Sequence, residues 1–433
     1  MLNVIRVRCQ DQFWTSLLAI MLFCVVPMTV FAQQQEKWTL EDSIRRAVQI
    51  APETLGAQAG VNARKGALEQ AGAWPNPQIE LRVDNKMGKD QGTGGSDFTQ
   101  LSFNQPLPLS GRLGYQEAIA DANLDAARAE RSYQRLNLET QVAQRFHVLQ
   151  LATEQMQLAE QRLNLAENLQ GIGHRRAQVG EISKLERLRL DLIRESAQQI
   201  LDKSEGTYNE ALNRFRAYLN ITADTIPQLP TLAPFGPITS METLQSDLPH
   251  HPLITAAQYK VEANRSAVNL AKAERLPDPT LRLFYEQDVL NGRQQAVSGI
   301  GLGITLPLWD RKSGRIDEAQ AQIIETQSEL QILARDLGSR LQQSHLHLNH
   351  LIEQGEHYRT QVLEPAQEVL ELTTKAYTSG ELEILSLIDA NNTFFDARER
   401  YLELLQQAWL ESAEVRLAAG QTLVITEQDT LHE

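Results

Sequence analysis

Cysteine is nearly absent from this chain. Its 433 residues include only Cys9 and Cys24, both before residue 33. The first 32 residues read as an export leader. Arg6 and Arg8 give a positive start, Leu17 to Val30 is apolar, and Val30-Phe31-Ala32 supplies a cleavage pattern before Gln33. The apolar run is short for a bilayer-spanning helix of about 20 residues, so a removable leader is expected rather than an anchor. Phe23 precedes Cys24 where lipid attachment would need a small residue. Removal of the leader leaves no thiol, which excludes disulfides and thiolate metal sites.

Other absences narrow the reading further. After the leader no stretch has the apolar length of a membrane helix, so a place within a membrane requires a β-barrel. Positive charge is short: 41 Lys and Arg face 55 Asp and Glu, a net charge of -14. Loss of Arg6, Arg8 and Asp11 with the leader makes it one unit more negative, and an acidic surface argues against nucleic acid as a partner. Enzyme signatures are missing too: there is no phosphate loop, no His-Glu-x-x-His and no nucleophile elbow. The glycines from Gly88 to Gly95 lie between two expected strands and open no helix. No catalytic residue and no cofactor is expected.

What the chain does have, it has twice. Ala73-Trp74-Pro75-Asn76-Pro77 recurs as Arg275-Leu276-Pro277-Asp278-Pro279. Leu107-Pro108-Leu109, followed by Ser-Gly-Arg, recurs as Leu306-Pro307-Leu308, with a second Ser-Gly-Arg at 313–315, and Val179-Gly180-Glu181-Ile182 recurs as Ser379-Gly380-Glu381-Leu382. Such a period marks one unit duplicated and fused. The expected layout is a leader (1–32), a first repeat (33–235) and a second repeat (236–420), then a flexible tail (421–433). The first repeat holds a strand pair at 78–109, a long helical hairpin at 113–220 and a linker rich in proline. The second holds a strand pair at 279–308 and a hairpin at 313–420.

Each strand alternates. Ile79, Leu81 and Val83 oppose Glu80, Arg82 and Asp84; Leu101 and Phe103 oppose Gln100, Ser102 and Asn104. Leu281, Leu283 and Tyr285 oppose Arg282 and Glu286, with a turn at Asn291-Gly292-Arg293; Ile300, Leu302 and Ile304 oppose Gly299, Gly301 and Gly303. One oily and one wet face, at roughly 9 to 11 residues per strand, suits a tilted bilayer crossing. From Leu113 to Gln178 there is no proline, and glycine occurs only at Gly114, Gly171 and Gly173. A helix of that length spans about 100 Å at 1.5 Å per residue. Val142, Leu149, Met156 and Leu163 recur every seven residues with Ala152, Ala159 and Ala166 between them, a seam for close helix packing that Arg145 interrupts.

The fold class is therefore mainly α with a small β part: long coiled-coil helices and four strands per chain. Four strands cannot close a barrel, whose minimum is about eight, and open edges in lipid are costly. Closure requires other copies of the chain, with eight strands from two or twelve from three. Trp74 and Trp309 stand at the strand ends, where aromatics anchor at an interface, although plain core packing would also account for them.

The segment Glu364-Pro365-Ala366 through Tyr377-Thr378-Ser379-Gly380-Glu381-Leu382-Glu383, with Leu385, Leu387-Ile388-Asp389-Ala390, Phe394-Phe395-Asp396-Ala397-Arg398 and Tyr401, resembles the signature of the TolC-like outer membrane efflux proteins. Trp38-Thr39-Leu40-Glu41-Asp42 with Ala47 and Pro52 resembles the start of their mature chains, and the Leu-Pro-Leu tracts look most like the cobalt-zinc-cadmium (CzcC-like) branch. The resemblance implies a homotrimer with a 12-stranded barrel in the outer membrane of a Gram-negative cell and a periplasmic helical barrel below it. The implied partners are outer membrane lipid, a periplasmic adaptor (membrane fusion protein) and an inner-membrane pump of the RND type. Such proteins are passive ducts. Alternatives are the same channel serving drugs or secreted polypeptides, and a coiled-coil envelope protein with no pore.

By the same resemblance Asp389 is the leading gate residue, with Tyr377 nearby. Ser386 occupies a position that is often acidic, so Glu381 and Glu383 are the other sources of charge; they would equally favour a helix start. In the first repeat Arg189 falls where Asp389 falls in the second. The turns around Val179, Gly180, Glu181 and Ser183, and around Ser379 and Gly380, are where the family meets its adaptor. His345, His347 and His350 suggest a metal site, against which stands their divergence around one helix; solvated or inter-helix contacts are the simpler role.

Overall fold

The computed structural model describes residues 37–84, 98–223, 225–290 and 293–423. The leader, the loop at Gly88 to Gly95, the turn at Asn291-Gly292 and the tail from residue 424 lie outside the described residues. The elements run α1 (Leu40–Ile50), α2 (Pro52–Ala71), β1 (Gln78–Asp84), β2 (Phe98–Pro106), α3 (Arg112–Gln178), α4 (Lys184–Tyr218), α5 (Met241–Asp247), α6 (Pro252–Ala273), β3 (Thr280–Leu290), β4 (Arg293–Gly303), α7 (Ser313–Tyr358), α8 (Glu364–Ser379) and α9 (Ile384–Ala419).

Local chemistry sets the helix ends. Thr39 and Asp42 cap α1 reciprocally, each side chain accepting the other's backbone N–H. Pro52 then opens α2, where a missing N–H is harmless. The α3 helix runs 67 residues unbroken. Its expected alanine seam is buried: Ala152, Ala159 and Ala166 are 1–3 % exposed. Arg145, which breaks that register, lies over the Tyr218 ring of α4 at 3.9 Å and so keeps the helix contact by another means. The second hairpin differs from the uninterrupted helix expected there. A π-helical turn, Arg359–Leu363, separates α7 from α8 and precedes Pro365, which cannot donate to the helix ladder. Arg359 spans this turn, paired with Glu356 before it and Glu364 after it.

The four strands form one antiparallel sheet in the order β1-β2-β3-β4, so the two repeats meet between β2 and β3. Apolar rows run straight across it: Ile79 opposite Phe103, Phe103 opposite Leu283, and Leu283 opposite Ile300. Below the sheet, α3 packs against α2, α4, α6 and α9, while α9 also packs on α7 and α8. The linker between the repeats lies across the middle of this bundle. Gln150 donates to the Pro230 carbonyl (2.8 Å) and Trp409 to that of Ala233 (2.9 Å). The linker also contains α5, which the sequence pattern did not announce. Gln421, Thr422 and Leu423, expected to belong to a tail, are fixed instead. Thr422 Oγ1 (2.7 Å) and Leu423 N–H (2.8 Å) donate to the Glu139 carboxylate, which is 1 % exposed.

Candidate functional site

The helical tip is built twice from the same turn. Gly180 (φ 80°) and Gly380 (φ 81°) take the left-handed conformation that a side chain disfavours. Behind each glycine the chain closes with matched backbone bonds, Glu181 N–H to Arg176 O and Glu381 N–H to Ala376 O, both 2.9 Å. The helices that follow start differently. Ser183 and Glu186 form a reciprocal cap on α4, and these bonds hold the Glu186 carboxyl below its usual range. On α9 the same two places are reversed, Glu383 at the cap and Ser386 one turn on, and no side-chain cap bond forms. The first repeat thus spends its acidic residue on capping, and the second presents Glu383 to solvent.

Asp389, Glu381, Glu383 and Ser386 are all exposed. Among the described residues Asp389 makes no hydrogen bond or ion pair, and Arg189 is exposed as well. Tyr377 is not at the surface. It is 3 % exposed and packs with Leu169, Leu190, Ile384 and Leu387. Among the described residues its hydroxyl has no hydrogen-bond partner, and burial pushes its phenol up, opposed in part by the Arg176 charge. Arg176 lies 5.1 Å from the Tyr377 ring and donates to the Tyr377 and Thr378 carbonyls at 3.4 and 3.3 Å. Arg162 of α3 similarly reaches α9, donating to Asn392 (2.7 Å) and Asp396 (3.4 Å). Sequence reasoning passed over both arginines, because their partners lie on the other repeat. Val179 is 71 % exposed, and Gly180, Glu181, Ser183, Ser379 and Gly380 all lie at the surface.

On the sheet, Ile79, Leu81, Val83, Leu101, Phe103, Leu283, Tyr285, Ile300, Leu302 and Ile304 are exposed apolar residues, and Leu281 is half-buried. Trp74 and Trp309 are 61 % and 92 % exposed. The opposite face carries a linked polar group: Arg282 donates to Gln100 (2.8 Å), and Gln100 to Glu286 (3.1 Å). Phe284 shares that face, its ring lying on Gly299 so closely that a β-carbon there would fall 2.4 Å from the ring. Alternation set Gly299 on the face opposite Ile300 but gave no reason for a glycine; the ring supplies it.

The histidines do not converge. His345 contacts the Thr239 carbonyl of the linker (3.0 Å), His347 contacts Glu411 of α9 (3.0 Å), and His350 is exposed. Among the described residues no group of three or more His, Cys, Asp or Glu is placed to hold a metal ion, so the metal reading of this cluster is withdrawn. Among those residues, too, no helix is long and apolar enough to cross a membrane.

The duplicated hairpin, the shared four-stranded sheet and its apolar outer rows meet in one family. The sequence profile of the outer membrane efflux proteins matches residues 43–220 and 243–421, one match per repeat. The chain belongs to the outer membrane efflux protein family. Among curated relatives it is 24 % identical to the cobalt-zinc-cadmium resistance protein CzcC of Cupriavidus metallidurans, over 86 % of this chain and 87 % of that one. It is 21 % identical to the nickel-cobalt-cadmium resistance protein NccC of Alcaligenes xylosoxydans xylosoxydans, over 66 % and 65 %. It is 23 % identical to the putative multidrug resistance outer membrane protein MdtQ of Escherichia coli, over 88 % and 86 %. The crystal structure of CusC shares the fold with a TM-score of 0.71 at 18 % identity, covering 88 % of this chain and 92 % of that one. That of VceC from Vibrio cholerae does so with 0.71 at 18 %, covering 89 % and 97 %. This efflux family member is accordingly an outer membrane channel with a large periplasmic helical part, a passive duct with no catalytic role.

Proposed function

We propose that the chain is the outer membrane duct of a tripartite exporter that discharges heavy-metal cations. The reading takes the working form to be a homotrimer with a 12-stranded barrel, fed by a periplasmic adaptor and an inner-membrane pump of the RND type. The observation that carries it is the helical tip. Glu181, Glu381, Glu383 and Asp389 are exposed there, and among the described residues Asp389 has no partner. Repeated around a threefold axis, each position supplies three carboxylates at close quarters, an arrangement that favours cations. The likeness to CzcC and NccC over most of the chain supports the same cargo. The likeness to MdtQ supports the rival reading, a duct for organic compounds.

A deletion strain separates the two. Growth is measured across zinc, cobalt, cadmium, nickel, copper and silver salts beside dyes, detergents and antibiotics, with the intact gene restored as control. Sensitivity confined to metal salts is the expected result. Sensitivity to organic compounds with unchanged metal tolerance refutes the cation cargo and keeps the duct. At the tip, Asp389→Asn lowers the cation-over-anion permeability ratio in planar bilayers; an unchanged ratio removes Asp389 from the gate.

A further inference from the structure

The wet face of the sheet joins two opposite charges that the backbone keeps apart. Arg282 and Glu286 stand on that face of β3, four residues apart on one strand and so separated by about 13 Å along it. They meet through Gln100 of β2, which lies opposite Glu286. The Gln100 amide oxygen accepts from Arg282 Nη2 at 2.8 Å, and its amide nitrogen donates to Glu286 at 3.1 Å. A carboxylate only accepts. Glu286 therefore fixes which end of the amide it meets, and that turns the oxygen toward Arg282. Val297, the residue opposite Glu286 on β4, has no side-chain hydrogen bond to offer.

The guanidinium is held close to the strands. To reach Gln100 it crosses the row in which Ser102 lies opposite Phe284, and among the described strand residues only Ser102 is buried, at 1 %. The guanidinium carbon stands 5.8 Å from the centre of the Phe284 ring, within cation–π range. That ring in turn rests on Gly299. Arg82 of β1 is held in a similar way, 5.9 Å from the Phe98 ring and 3.0 Å from Asp84. The hold on Arg282 has a cost. Its Nε is covered and has no hydrogen-bond partner among the described residues, and a covered donor without a partner is unfavourable. Water would satisfy that donor, so the side chain leaves the wall once Gln100 stops accepting from it.

We propose that Glu286, acting through Gln100, holds the Arg282 guanidinium against the barrel wall and thereby sets the charge preference of the duct at the level of the membrane. This role rests on the channel reading above, in which the wet face lines the lumen, and it lies far from the tip. Held at the wall and joined to Glu286 by one amide, the guanidinium presents little net charge to a passing cation. Released, it extends into the lumen while Glu286 stays behind. A fixed positive charge nearer the axis repels cations and admits anions. Glu286 and Gln100 are positioning residues in this scheme, and Arg282 carries the effect.

Gln100→Met separates this hold from mere charge, because it alters no charge and cannot bridge Arg282 to Glu286. Reversal potentials are measured with the full chain in planar bilayers, in about 0.1 M potassium chloride, where screening extends over about 10 Å. The cation-over-anion permeability ratio is expected to fall roughly twofold in Gln100→Met. In Gln100→Met/Arg282→Gln it is expected to return to the wild-type value or above. Glu286→Gln should lower the ratio in the same direction, with return in Glu286→Gln/Arg282→Gln, and it serves should Gln100→Met misassemble. Both falls should persist in an Asp389→Asn background. An unchanged ratio in either single variant that forms channels overturns the hold, as does a fall that Arg282→Gln fails to reverse. A fall that vanishes in the Asp389→Asn background refers the effect to the tip and overturns it as well. Failure of the channel reading looks different: the wild-type chain itself then gives no currents, and the hold is refuted with it.

Discussion

Acid should loosen this protein at the level of the linker, and the size of the effect follows from His147. That imidazole is 5 % exposed on α3, stacked on Trp409 at 5.3 Å, with its Nδ1 2.7 Å from Gln150 Oε1. Gln150 is oriented by its own donation to Pro230, so Nδ1 carries the proton and the ring is neutral. Burial is the main reason its pKa falls from 6.5 to about 4, only partly opposed by the Gln150 bond. Arg416 lines the same cavity and adds no counter-charge. Because the folded pKa of this base is depressed, its neutral form is the stable one. Above pH 6.5 folded and unfolded chains bind equal protons and nothing is lost. Between 6.5 and about 4 only the unfolded chain gains the proton, and stability declines as pH falls. Linkage puts the loss at about 2 kcal/mol per chain between pH 7 and pH 5. The assay is denaturant unfolding at several pH values, followed by tryptophan fluorescence. His147→Phe keeps an aromatic ring against Trp409 but leaves Gln150 without its donor. It should cost about 1 kcal/mol at pH 7 and remove most of the wild-type slope between pH 7 and 5, so that at pH 5 the variant is the more stable by about 1 kcal/mol. Equal slopes in the two proteins would refute the assignment.

Further outcomes follow from the tip and the sheet. Tyr377→Phe removes a buried hydroxyl that has no hydrogen-bond partner among the described residues, so stability and conductance should be unchanged or slightly raised. Arg176→Ala, which removes the side-chain donor shared by the Tyr377 and Thr378 carbonyls, should raise the open probability in planar bilayers. Leu283→Lys places a charge on the lipid side at a cost of roughly 2 to 4 kcal/mol per midplane residue and should abolish recovery in the outer membrane fraction; normal assembly would count against the barrel. Gly299→Val drives the Phe284 ring off the wall into the lumen, so single-channel conductance should fall, and the double variant with Phe284→Ala should restore it.

Much of this architecture is written locally. The strand faces follow from alternation, and the 67-residue α3 from the want of proline and from the alanine seam. The tip turns follow from two glycines in matched places. What stayed hidden depends on residues distant in the chain. Glu139 looks like an ordinary helix-surface glutamate until residues 422–423 return to it. Arg162 and Arg176 read as solvated charges because their partners lie 200 or more positions away. His345 and His347 seemed one cluster in sequence, yet two residues apart they leave α7 on nearly opposite sides, one to the linker and one to α9. Glu383 and Ser386 show the reverse case. The exchange with Ser183 and Glu186 was visible in sequence, but its meaning emerged only with the cap geometry.

The π-helical turn at Arg359–Leu363 acts as a phase change. Along α7 the buried positions advance through Leu341, His345, Leu348, Leu351 and Gly355. An unbroken α-helix would bring Val362 inward next. Instead Val362 is 37 % exposed, and Leu363 and Ala366 are buried at 6 % each. The turn admits one residue without the rotation that residue would otherwise bring, so the stripe facing α9 below it lags by one position. The tip's second hairpin, with Tyr377 inward and Glu381 outward, is aimed by that lag. Deleting one residue between 359 and 363 would let a plain α-helix replace the turn with its inward and outward faces kept down to Gly380, whereas deleting one residue from the regular part of α8 would turn everything between it and Gly380 by about 100 degrees.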